Sequence, residues 1–210
     1  MGYAISWIAF KDKTAQQVFE LLSLSPSGTF AEEPEGMFSG AQLDTGWYLV
    51  FINEYGHKFI GKNSLQRVSM DREMDREMDS EVVAVAVEEH VMFSSAEAWK
   101  SGKLIWKVTH EGEGGPLGPR HLEEHGILPK EYQSTKQRLL AAQKQEDQNE
   151  PEVDHIFDIP LELAESIVGF KHDKVVNARF EILKLEILKP ESGPGAGLLS
   201  RLFRKEKDRH

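Results

Sequence analysis

The chain has 210 residues, which suits one domain or one domain with appendages, and its 40% hydrophobic content with four Trp supports a real core. It has no cysteine, which excludes disulfides, thiol catalysis and thiolate metal sites and fits a reducing, cytoplasmic setting. The formal net charge is −10; residues 192 to 210 carry five basic and two acidic side chains, so residues 1 to 191 carry −13, a body that repels nucleic-acid phosphates and has no basic stripe with interleaved aromatics.

No apolar run approaches the roughly 20 residues that a membrane span requires. Tyr3 to Phe10 is apolar but is followed at once by Lys11-Asp12-Lys13, and it lacks the basic start of a signal peptide. It reads as a first strand. Met1-Gly2-Tyr3-Ala4-Ile5-Ser6 also fits the loose N-myristoylation pattern, although the edge of a sheet explains it more simply.

Thr14-Ala15-Gln16-Gln17 predicts a capping box opening a short helix. Val18, Leu21 and Leu22 form its apolar face, and Ser25-Pro26-Ser27-Gly28 is the expected end. The segment Ala31 to Gly46, rich in Glu, Pro and Gly, reads as loop. Trp47 to Ile52 is continuously apolar, which implies a strand covered on both faces. Ser64 to Val68 suggests one helical turn. The tandem Asp71-Arg72-Glu73-Met74 and Asp75-Arg76-Glu77-Met78 has too few copies for a repeat fold and reads as an exposed loop.

The centre of the chain is Glu81 to His110. Val82, Val83, Val85 and Val87 predict a buried strand, and Ala96 to Val108 predicts two strand halves around Ser101-Gly102. A two-residue loop places Trp99 opposite Leu104 and Glu97 opposite Trp106, so Phe93, Trp99, Leu104, Trp106 and Val108 share one face. A one-residue bulge at Gly102 instead pairs Trp106 with Ala96 and moves Trp99 to the lysine face. Ser94-Ser95-Ala96-Glu97 also fits a capping box with Gly102 as helix stop, but Trp, Ile and Val at period two favour the hairpin.

Glu111 to Pro119 is a Gly/Pro break. Pro129 to about Gln145 predicts a helix with Tyr132, Leu139 and Ala142 as its stripe, followed by a polar linker to Glu152. Asp158-Ile159-Pro160 opens another helix, with Asp158 as its cap, Leu161, Ala164, Ile167 and Val168 buried, and Gly169 as the stop. Ala178 to Leu188 is the final strand. This order predicts a single α+β domain over residues 1–191, with a mostly antiparallel central sheet, helices gathered after the central strands, and the last strand returning to the sheet.

Three constellations could carry chemistry. Glu88 and His90 share a strand face, and His110 ends a neighbouring strand, so the three form a candidate acid–base or metal cluster. The competing reading is a strand that becomes polar where it meets solvent. His121-Leu122-Glu123-Glu124-His125 resembles the H-x-x-E-H pattern of the inverted zinc peptidases. On a helix, His121 and His125 would share one face with Glu124 nearby as base, but Pro119 and Gly126 confine the helix to about six residues. Asp154-His155 and His172-Asp173 are His–carboxylate neighbours without a recognisable nucleophile elbow.

The most suggestive non-enzymatic feature is the C-terminal tail. Ser192 to Gly197 is a flexible linker, and Leu198, Leu199, Leu202 and Phe203 alternate with Arg201, Arg204 and Lys205. A short basic amphipathic segment of this kind suits a protein partner or weak contact with an anionic membrane. No cofactor signature is present. The expected function is therefore a non-catalytic binding protein such as an adaptor, inhibitor or accessory subunit, with a metal-assisted hydrolase as the alternative.

Overall fold

A computed structural model of the chain describes residues 2–70, 81–112, 121–148 and 153–186. The elements in chain order are β1 (Ala4–Lys11), α1 (Ala15–Leu22), β2 (Leu24–Ala31), β3 (Phe38–Gln42), β4 (Trp47–Ile52), α2 (Lys62–Val68), β5 (Glu81–Glu88), β6 (Phe93–Lys100), β7 (Lys103–Glu111), β8 (His121–Gly126), α3 (Glu131–Glu146), α4 (Asp158–Val168) and β9 (Phe180–Leu185). The strands form one antiparallel sheet in the order β2-β9-β3-β4-β1-β5-β6-β7-β8. The α+β expectation with a returning last strand holds, with β9 seated between β2 and β3. The two longer helices follow the central strands and the two short ones precede them. Among the described residues no helix is long and apolar enough to cross a membrane.

Helices cover the sheet on both faces, which explains why β4 and β5 carry apolar residues without alternation. Val83, Val85 and Val87 face α3 and α4 together with Trp7, Phe51, Trp106 and Val108. Val82 and Ala84 face α1 and α2 with Ile8, Phe10, Val50 and Trp99. The α1 capping box forms as the residues dictate: Thr14 accepts from Gln17 N, and the Gln17 side chain accepts from Thr14 N.

The β6–β7 hairpin combines parts of both expected registers. Ser101 and Gly102, with φ of 49° and 72°, make a two-residue turn that pairs Trp99 with Leu104. Ile105 is then extra, so Ala98 rather than Glu97 meets Trp106, and Glu97 meets Lys107. This bulge sends Trp99 and Trp106 to opposite faces, each filling a different core. They do not share a face.

Other expectations are corrected. Ser25 to Gly28 does not merely end a helix but lies in β2, an edge strand where Pro26 and a register shift are tolerated because β2 pairs with β9 alone. The expected loop from Ala31 to Gly46 contains β3. Its Gly40 is a close-approach position, since a Cβ there would sit 2.3 Å from the Tyr48 hydroxyl oxygen and 2.9 Å from Leu183. Burial, and then Glu181, push the Tyr48 phenol far above its ordinary value. Asp158 does not cap α4; Phe157 is the cap residue and makes no side-chain cap bond. The tandem repeat at 71–79, most of the 111–119 break and the 192–210 tail lie outside the described residues.

Candidate functional site

One end of the sheet gathers most of the ionisable side chains that the sequence singles out. β5 ends there, a single 3-10 turn over Glu89–Val91 follows, and Met92 at φ 49° returns the chain into β6. Glu88 closes this turn on itself: its Oε1 accepts from His90 N at 3.3 Å and lies 2.7 Å from His90 Nδ1. The His90 side chain is 65% exposed. The pair is local and solvated, as expected where a strand emerges from the core.

His110 does not join it. The register aligns Val87, Ser94 and His110 on the α4 face, while Glu88, Phe93 and Glu111 occupy the other. On that other face, burial followed by Glu88 and Glu111 raises the phenol of Tyr55, which packs on Phe93. The His110 side chain is wholly buried; Nδ1 lies 2.9 Å from Met92 O and Nε2 3.3 Å from Asp154 Oδ2. Burial pushes the Asp154 carboxyl up, but His110 and the amides of Ile156 and Phe157 reverse this and hold it below the usual carboxylate range. Ser94 Oγ, beside His110, donates to Phe157 O at 2.6 Å.

His121, Glu124 and His125 lie in β8, not on a helix, which removes the geometry of the H-x-x-E-H reading. The ladder to β7 supplies the backbone hydrogen bonds that six residues without an apolar stripe would not secure as an isolated helix. In a strand, His121 and His125 fall roughly 13 Å apart, too far for one ion. Glu124 points to the opposite face and pairs with Lys136. His125 sits at the rim of an open groove with Lys62, Lys103, Lys107, Glu97 and Trp99. Among the described residues no three His, Asp or Glu side chains are grouped to hold a metal ion.

A third histidine occupies the same end of the sheet. After α4, Gly169 at φ 86° turns the chain, and Phe170 to Asp173 run back over the start of β1. Phe170 packs edge-on against Trp7, Phe51 and Phe180 and anchors the segment. Lys171, only 7% exposed, is held by Asp158 at 2.9 Å and Asp173 at 3.0 Å. Burial lowers its pKa, but the two carboxylates outweigh this and raise it. Asp158, the first residue of α4 rather than its cap, thus directs its carboxylate to Lys171.

His172 is inserted between Tyr3, whose ring meets it edge-on at 4.8 Å, and Glu89. Glu89 Oε2 accepts from Tyr3 N at 2.8 Å, while Oε1 lies 3.5 Å from His172 Nε2, within ion-pair reach but without the alignment of a hydrogen bond. The His172 side chain is 2% exposed, and neither ring nitrogen has a hydrogen-bond partner among the described residues. Burial lowers its pKa, and Asp173 and Glu89 offset this only in part, so the ring is held neutral.

His172 lines a cleft of about 200 Å³ with Tyr3, Phe51, Phe170 and Phe180, and with Glu32, Glu33 and Asp173 also on its wall. A more open hollow, lined by Gly2, His90, Met92 and Phe157, lies beside Glu89. The sequence showed the His172-Asp173 pair, but not that Glu89 and Tyr3, far away in the chain, would enclose His172. Comparison with protein-family models, with curated proteins and with solved structures finds no match for this chain.

Proposed function

We propose that the chain works by binding rather than catalysis, as an adaptor, inhibitor or accessory subunit, and that the cleft beside His172 is its ligand site. The observation that carries this reading is the buried imidazole lining the cleft, with both nitrogens lacking a hydrogen bond. An unsatisfied buried polar group costs about 1–3 kcal/mol, a penalty that a bound ligand relieves by supplying the missing partner. Catalysis has weaker support. His90, His110 and His172 each face their own carboxylate, and the buried Ser94 hydroxyl beside His110 is committed to a backbone carbonyl.

The basic segment carrying Leu198, Leu199, Arg201, Leu202, Phe203, Arg204 and Lys205 is the proposed second contact, with a protein partner. Two measurements test these readings. Imidazole NMR during titration with a small-molecule panel should show a saturable shift at His172 that His172→Gln abolishes. Turnover of ester or phosphate substrates that disappears in His90→Ala or His172→Gln would overturn the binding reading. Deleting residues 192–210 should remove captured partners; an unchanged set retires the tail.

A further inference from the structure

We propose that the cleft beside His172 takes a cationic nitrogen, a primary ammonium or guanidinium, carried on an apolar stem. This rests on the binding reading above and adds the ligand's charge and shape. Three features of the cleft converge on it. First, the walls from Phe51, Phe170 and Tyr3 are aromatic, which suits an alkyl stem and favours a cation over an anion at the ring faces. Second, the charged side chains lining it leave a negative balance. Lys174, the one cation on the wall among the described residues, pairs with Glu165 and Asp173 pairs with Lys171 outside the cleft, whereas Glu32 and Glu33 line it and stand exposed.

Third, the imidazole is an acceptor in search of a donor. The Glu89 carboxylate beside Nε2 favours the tautomer that carries its proton there, and this leaves Nδ1 with a lone pair and no partner. An ammonium or guanidinium N–H is a donor without acceptor capacity, so it matches a neutral imidazole nitrogen beside carboxylates. A carboxylate or phosphate would meet Glu32 and Glu33 as like charges. The cation can arrive as a free amine or as the Lys or Arg side chain of a peptide.

The full-length protein, with His172 imidazole signals recorded by NMR, separates the outcomes. Its probes are n-butylammonium, butyrate and butanol at matched ionic strength, then a short Lys/Arg peptide. Saturable shifts are expected with n-butylammonium, weakened about tenfold by Glu32→Gln with Glu33→Gln and again by added salt. Butyrate should give none. Tighter binding of the peptide than of the free amine identifies a protein side chain as the source, and the reverse identifies a small amine; both support the cationic assignment. Shifts with butyrate or butanol but not with the ammonium overturn that assignment and leave the binding site standing. No shift with any probe overturns both.

Discussion

His110 Nε2 lies 3.3 Å from Asp154 Oδ2, so a strand of the sheet is tied to the turn that starts α4. The ring is wholly buried, and the same carboxylate also holds the amides of Ile156 and Phe157. Removing one partner of such a pair strands the other. Asp154→Ala also leaves the Ile156 and Phe157 amides without their acceptor and is expected to cost about 1–3 kcal/mol in denaturant unfolding, and Asp154→Asn less. A double-mutant cycle with His110→Gln should give a coupling of about 1 kcal/mol or more. Additive effects would show that the two groups do not interact energetically.

The solvated pair at the tip of β5 should behave in the opposite way. His90 is largely exposed and touches Glu88 only across a local turn, so His90→Ala is expected to change stability by no more than about 0.5 kcal/mol. Zinc titration should give the same result for this variant as for the parent chain. A stoichiometric zinc site lost with His90 would revive the hydrolase reading.

The buried neutral His172 predicts a pH dependence. Its folded pKa is depressed below the unfolded value of about 6.5, so the unfolded chain binds more protons as the solution is acidified. The contribution is full above pH ~6.5 and is lost as pH falls through the folded pKa. His57 is depressed as well, by burial first, and adds to the same slope. The melting temperature should therefore fall below about pH 6.5, with a shallower fall in His172→Gln. Parallel curves for parent and variant would contradict the buried neutral ring.

Gly40 has no room for a side chain between Tyr48 and Leu183. Gly40→Ala must push the phenol or the leucine aside at the junction of β3, β4 and β9, at a cost of about 1–3 kcal/mol. Pairing the change with Tyr48→Phe, which removes the clashing oxygen, should recover part of the loss. Calorimetry of the two variants distinguishes this packing effect from a backbone effect, which would show no recovery.

Thr14→Ala removes one half of the α1 capping box and should lower stability by about 1 kcal/mol. Chemical denaturation checks the value. No loss would mean that the packing of Val18, Phe19 and Leu22 alone decides the start of the helix.

What the residues determined by themselves was whatever depends on neighbours in sequence. The Thr14 capping box, the doubly covered strands at Trp47 and Val82, the Ser101-Gly102 turn and the Gly169 stop all follow from local sterics or from periodicity. Only the tertiary structure decided the rest. β3 and β8 are strands because partners elsewhere in the chain complete their ladders, and neither His121 to His125 nor Phe38 to Gln42 has a local pattern that requires it. The Ile105 bulge reverses the facing of Trp106 through a single extra residue. The pairings of His110 with Asp154 and His172 with Glu89 belong to the same class, because a side chain's charge partner is fixed by which elements pack together, and sequence spacing carries no record of that.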